Sequence, residues 1–127
     1  MIHKAGIAIG LLVLVALAVP AGAPLQISYV SSDSMSPTID TNDGYVLVPA
    51  GTVQPGDVIT FYSAERATYV THRATQVTPD GIVTKGDGNP STDQASGYSL
   101  VQPSDVSGKL LTVGGELVVI PYLGTVL

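Results

Sequence analysis

Three polar clusters in this 127-residue chain carry side chains capable of acid, base or nucleophilic chemistry. They are the run Ser31-Ser32-Asp33-Ser34-Met35-Ser36, the triplet Thr71-His72-Arg73, and the loop Lys85-Gly86-Asp87-Gly88-Asn89-Pro90-Ser91-Thr92-Asp93. A serine hydroxyl is a weak nucleophile until a neighbouring base takes its proton, and the base works best when a third group fixes its orientation. A serine, the imidazole of His72 and an aspartate are on hand for those roles. An imidazole, with an ordinary pKa near ~6.5, accepts a serine proton at neutral pH without the deep desolvation a lysine base needs.

Each cluster also has an ordinary structural reading. A serine-rich run after an apolar segment serves as a loop or helix cap, a lone histidine in a strand is packed or solvated, and an Asp-rich glycine loop is a turn. Asp87, Asn89 and Ser91 alternate as they do in a calcium loop. That pattern needs Gly at the sixth position and a bidentate acid at the twelfth, where this chain has Thr92 and Tyr98, so no calcium is expected. The chain has no cysteine and only two histidines, His3 and His72, which excludes a disulfide framework, a thiolate nucleophile and a histidine-rich catalytic zinc. Neither metal nor cofactor is expected. Ten acidic residues face five basic ones, and the basic ones are scattered singly. That argues against a nucleic-acid partner, which requires clustered Lys and Arg.

The elements that must position these groups begin with an uncharged apolar run over residues 5–25. A helix of about 20 such residues spans a hydrocarbon core of roughly 30 Å. A cleaved secretory signal fits too, with Lys4 ahead of an apolar stretch and Ala21-Gly22-Ala23 as a small-residue cleavage site. A buried helix fits least, since the run has no polar face. His3 and Lys4 place the amino terminus in the cytoplasm and the remainder outside.

Past Pro24 the pattern changes to β-rich runs punctuated by turn residues. Strands are expected over residues 45–48, 58–62, 68–77, 81–85, 109–113 and 116–120, giving a mainly β domain of coiled antiparallel sheet. The Pro79-Asp80-Gly81 turn joins two of them as a hairpin and brings the neighbourhoods of His72 and Asp87 together. The expected organisation is a membrane anchor or cleaved signal over residues 1–25 and one β-rich domain over 26–127, the usual domain size of roughly 100 residues.

Taken together and in order, these features resemble the signal peptidase I family. The apolar segment is followed by S-x-S-M-x-P at Ser32 to Pro37, and then by Pro55-Gly56-Asp57-Val58-Ile59. Next come Thr71-His72-Arg73, Thr84-Lys85-Gly86-Asp87 with a second acid at Asp93, and a closing segment Val119-Ile120-Pro121-Tyr122-Leu123-Gly124. The family divides by its general base, lysine in the common bacterial type and histidine in the archaeal and ER type, and His72 places this chain with the second.

The resemblance implies a membrane-bound serine endopeptidase that removes signal peptides from exported preproteins. It implies Ser34 as nucleophile, His72 as general base and Asp93 as the acid that orients the imidazole, with Asp87 a further important acid. The backbone N–H of Ser34 and the hydroxyl of Ser32 would form the oxyanion hole. Met35 and Pro37 would shape the loop and line the substrate cleft, although simple packing explains them equally well. The implied partners are preprotein signal peptides and the lipid membrane, with the catalytic domain on the outer face of a single-pass anchor; accessory subunits stay open. Asp33 stands where the family commonly has glycine. A Ser34–Lys85 dyad is disfavoured, because Lys85 aligns with the acid-bearing loop and not with the base. The rivals are a relative of narrow specificity, and an anchored β-domain that binds exported proteins without cleaving them.

Overall fold

The computed structural model describes residues 25–126. The anchor expected over residues 1–25 thus lies, apart from Leu25, outside the described residues. Among the described residues no helix is long and apolar enough to cross a membrane.

The fold is mainly β. Among the described residues nine strands follow in order: β1 (Gln26–Tyr29), β2 (Gly44–Val48), β3 (Val58–Ser63), β4 (Thr68–Thr78), β5 (Gly81–Lys85), β6 (Val106–Leu110), β7 (Thr112–Val113), β8 (Glu116–Leu117) and β9 (Val119–Ile120). Short 3-10 turns occupy Pro103–Asp105 and Leu123–Thr125. The main sheet runs β1-β2-β6-β3-β4-β5, with β9 added beside β6 on β2, and every strand pair in it is antiparallel. β7 and β8 form a separate ribbon whose turn uses Gly114 and Gly115 at φ 62° and 85°. Positive φ at both central residues gives the tight hairpin twist that matches the strands.

Side chains alternate across a strand, so a strand buried on both faces reads as an unbroken apolar run. Tyr45-Val46-Leu47 and Val58-Ile59-Thr60-Phe61 are such runs, and both are buried throughout. Tyr45, Leu47 and Val58 point into one core with Met35 and Ile39, whereas Ile59 and Phe61 point into a second with Ala74 and Ile82. Val46 belongs to a third, closed by Val118 and Ile120.

The two hairpin partners around Pro79-Asp80-Gly81 form as expected, paired from Thr78↔Gly81 to Arg73↔Lys85 with a bulge between Ala74 and Gln76. Three boundaries differ. β1 was hidden at the tail of the apolar run. The strand expected over 109–113 starts earlier, at Val106, and ends at Leu110. Ser107-Gly108 has a turn-like composition, yet Gly108 is needed inside the sheet, since a Cβ there would stand 2.6 Å from the Val48 carbonyl oxygen. The run over 116–120 splits at Val118, which leaves the ladder to bury its side chain at 3 % exposure.

Strand β4 leaves part of its backbone unpaired. Thr68 to Arg73 pair with β3 on one edge, but β5 covers the opposite edge only from Arg73 onward. Among the described residues, 68–72 of β4 therefore have no strand on that edge, and β1 pairs with β2 alone.

Phe61 is among the largest fully buried side chains, and its truncation leaves a cavity that the surrounding sheet cannot refill. Phe61→Ala is expected to lower unfolding free energy in urea by about 3–5 kcal/mol. Val77→Ala, at a 44 % exposed position, should stay within about 0.5 kcal/mol of the parent in the same titration.

Candidate active site

Ser34 lies on a loop between β1 and β2 whose base is closed by Val30 N–H to the Asp43 carbonyl at 3.1 Å and Asn42 N–H to the Val30 carbonyl at 2.9 Å. Within it the Ser36 N–H reaches back to the Asp33 carbonyl at 3.0 Å and the Ile39 N–H to the Met35 carbonyl at 2.9 Å. Met35 and Ile39, exposed by 1 % and 0 %, anchor this turn in the core. Burying Met35 leaves its neighbour Ser34 half-buried at the wall of a cleft of about 640 Å³. Ser32, His72 and Asp93 line the same cleft.

The loop following β5 clasps the serine turn from the other side. Gly88 N–H donates to the Ser34 carbonyl at 2.8 Å, and Asp87 N–H to the Met35 sulfur at 3.3 Å. Thr38 donates its hydroxyl to Asp87 Oδ2 at 2.7 Å. Arg73 grips the same carboxylate in a bidentate pair, Nε to Oδ1 at 2.9 Å and Nη2 to Oδ2 at 2.8 Å. The Arg73 hydrogen bonds hold the Asp87 carboxyl below its ordinary value against an opposing effect of burial, with Thr38 and the charges of Arg73 and Lys85 assisting. Reciprocally, the bond to Asp87 raises Arg73.

Gly86 sits where these parts meet. A Cβ on it would lie 2.4 Å from the Ser34 carbonyl oxygen and 3.1 Å from His72 Nε2. Only a residue without a side chain lets the serine turn and the imidazole approach the end of β5 this closely.

His72 belongs to β4, opposite Ile59, and is 5 % exposed. Two residues on, Ala74 pairs with Thr84 of β5. The next loop folds back so that Asp93 N–H donates to the Thr84 carbonyl at 2.8 Å, which carries the Asp93 side chain to the imidazole. His72 Nδ1 is 2.8 Å from Asp93 Oδ2 and 3.0 Å from Oδ1. The Thr84 hydroxyl donates to Oδ2 at 2.6 Å, and Arg66 Nη2 stands 3.4 Å from Oδ1.

Burial pushes the Asp93 carboxyl up, but the hydrogen bonds from His72 and Thr84, with the charges of His72 and Arg66, outweigh it and leave the group below its ordinary value. Asp93 is therefore an anion at neutral pH and can only accept, so His72 Nδ1 carries the proton it donates. In the neutral ring Nε2 is then the basic nitrogen. No buried side-chain polar atom among the described residues lacks a hydrogen bond, and Nε2 makes none, so it belongs to the small part of His72 that meets solvent.

The geometry thus separates the two acids: Asp93 orients the histidine, and Asp87 braces the serine loop through Arg73 and Thr38. Ser34 and His72 share the cleft without a hydrogen bond to each other. The Ser34 hydroxyl bonds that of Ser32 at 3.1 Å, and the Ser34 N–H points to the same Ser32 oxygen at 3.4 Å. Asp33 is turned away, accepting from the Thr41 hydroxyl. Met35 is core and Pro37 is exposed beyond a cis Ser36–Pro37 peptide, so neither forms the cleft wall. Lys85 Nζ donates to the Gly86 carbonyl at 3.3 Å. Among the described residues no cluster of three or more His, Asp or Glu side chains is arranged to hold a metal.

Sequence reasoning missed Thr84, Arg66 and Gly86 as site residues. Thr84 follows from the hairpin register once Asp93 is known to dock on β5; Arg66 has no such signal, being one charge in a polar turn. Compared with known proteins, the chain matches no family model and no curated protein.

Two predictions follow from the clasp. A carboxyl held low in the folded chain favours the anion there, so its stabilising effect is complete above the unfolded value near ~3.9 and disappears as pH falls through the lower folded value. Thermal midpoints of the parent should exceed those of Asp87→Asn at pH 6, with the gap closing below about pH 4; a gap of the same size at pH 2 contradicts the pairing. Gly86→Ala should lower stability by about 1–3 kcal/mol in urea, since the obstructing atom is backbone and cannot swing aside.

Proposed function

We propose that the chain is a membrane-anchored serine endopeptidase of signal-peptidase type that cleaves signal peptides from exported preproteins. The observation that carries this reading is the Asp93–His72 hydrogen bond, which leaves Nε2 as the acceptor in a cleft shared with Ser34. A buried aspartate, an imidazole in fixed orientation and a nearby serine are the parts an acyl-transfer site requires.

In the proposed reaction Ser34 Oγ attacks the carbonyl carbon of the scissile peptide while Nε2 takes its proton. The oxyanion is met by the Ser34 N–H and the Ser32 hydroxyl. The C–N bond then breaks, and the imidazolium returns its proton to the leaving amine, giving an ester on Ser34. Water attacks that ester, again with Nε2 as base, and releases the new carboxylate and the free serine.

An extended substrate fits the free edges beside the cleft. Residues 68–72 of β4 offer unpaired backbone next to His72, and Ser28 to Ser32 line the facing wall. Adding a strand there gives affinity through main-chain hydrogen bonds, while the cleft selects side chains. The uncharged residues 5–25 are the proposed anchor, holding the domain at the outer face where signal peptides emerge.

A second reading is favoured by one observation, the absent Ser34–His72 hydrogen bond: the domain binds exported segments without cutting them. Hydrolysis of a preprotein with Ala before the cut, by the full chain in detergent, separates the two. Ser34→Ala and His72→Ala are each expected to lose on the order of 10^6 in rate, and Asp93→Ala on the order of 10^4. Lys85→Ala should stay within about threefold of the parent, because lysine has no role in an imidazole-based mechanism. Undiminished cleavage by the Ser34 and His72 variants overturns the peptidase reading, and binding with no cleavage by the parent selects the second.

A further inference from the structure

Asp93 has more partners than a histidine-orienting acid needs. Oδ2 accepts from Thr84 at 2.6 Å and from His72 at 2.8 Å, and Oδ1 lies 3.0 Å from the same His72 Nδ1. Arg66 Nη2 stands 3.4 Å from Oδ1. The guanidinium cannot easily withdraw, because its carbon lies 3.5 Å from the centroid of the Tyr98 ring, a stacked cation–π contact. Tyr98 is itself tied to the acid, its N–H donating to the Asp93 carbonyl at 3.1 Å. Arg66 comes from the β3–β4 turn, where its own N–H donates to the Ser63 hydroxyl at 3.3 Å and Ala67 beside it takes a left-handed φ of 54°.

From this arrangement we propose that Arg66, held by Tyr98, is a positioning residue that locks the Asp93 carboxylate against His72. Its kinetic consequences rest on the peptidase reading; its effect on the Asp93–His72 pair does not. The lock is mechanical: with Oδ1 and Oδ2 both engaged, the carboxylate cannot rotate away from Nδ1.

The other charges around His72 are engaged elsewhere. From β5, Lys85 turns to the Gly86 carbonyl, and from the following loop Asp87 is held by Arg73 and Thr38. From the serine loop, Asp33 accepts from Thr41. The β3 residue opposite His72 is the uncharged Ile59. Arg66 is the cation that pairs with Asp93.

The test compares the parent with Arg66→Gln, Tyr98→Phe and Tyr98→Leu. Arg66→Gln should lower kcat about 10- to 100-fold, as a misplaced catalytic group does, with KM within about threefold of the parent. Tyr98→Phe keeps the stacking ring and should match the parent, whereas Tyr98→Leu should follow Arg66→Gln in direction. A raised KM with unchanged kcat would make Arg66 a substrate contact and overturn the proposal.

A second measurement needs no substrate. The low-field proton resonance of the His72 Nδ1–H bonded to Asp93 should shift or broaden in Arg66→Gln and Tyr98→Leu and stay in place in Tyr98→Phe. An unchanged resonance in Arg66→Gln rejects the positioning role. Absence of cleavage by the parent counts against the peptidase reading alone, and the proton spectrum still decides on Arg66.

Discussion

Arg73 of β4 stands directly opposite Lys85 of β5, and that register determines where the rest of the site can be. Because side chains alternate, a slip of one residue would flip β5 relative to β4 and carry Thr84 away from the side on which His72 lies. With the register in place, β5 ends beside His72. Gly86 then fits between the imidazole and the Ser34 carbonyl, Asp87 meets Arg73, and the returning loop lays Asp93 along Thr84. One strand pair thereby assembles groups drawn from three separate stretches of sequence.

The two acids on this loop do different work because their surroundings differ. Asp93 is 4 % exposed, and removing a carboxylate from water to that degree costs several kcal/mol unless donors replace the lost hydration. His72 and Thr84 are those donors, and the Arg66 charge stands beside them, which explains why a buried anion has three polar neighbours. Asp87 is more open, at 18 % side-chain exposure, and its bidentate pair with Arg73 is a tether more than a store of energy. What the tether holds is the serine loop, through Thr38 and through the adjacent backbone contacts to Met35 and Ser34.

Much of the sheet was legible because its central strands follow simple rules. The runs at 45–48 and 58–62 are apolar enough to be buried on both faces, and Pro79-Asp80-Gly81 marks a hairpin by its composition alone. β1 was not legible, since its four residues, Gln26 to Tyr29, lie between the apolar segment and the serine cluster with no turn residue between them and that cluster. Nor was β6, where Gly108 looks like a turn residue and is in fact required by the closeness of Val48. At the site, Ser34, His72, Asp87 and Asp93 could be named as candidates in advance. Their pairing could not, because two aspartates in one polar loop are equivalent until the loop's path is known. Arg66 was the least visible, as its meaning depends on a tyrosine 32 positions later that the chain brings beneath it.

The unmade Ser34–His72 bond has a physical explanation on the peptidase reading. In the unliganded chain the Ser34 hydroxyl already has a partner in Ser32, and Nε2 meets solvent. On that reading Ser34 would give up its bond to Ser32 for one to Nε2, exchanging one hydrogen bond for another. The balance tips when a peptide lies along residues 68–72 of β4. Such a strand displaces water from the cleft, which strengthens any Ser34–Nε2 bond by lowering the local dielectric. It also brings a carbonyl that competes for the Ser32 hydroxyl and the Ser34 N–H. The groups that now satisfy one another are the groups the oxyanion would need, so a substrate that completes the sheet both frees the nucleophile and occupies its stabilising donors.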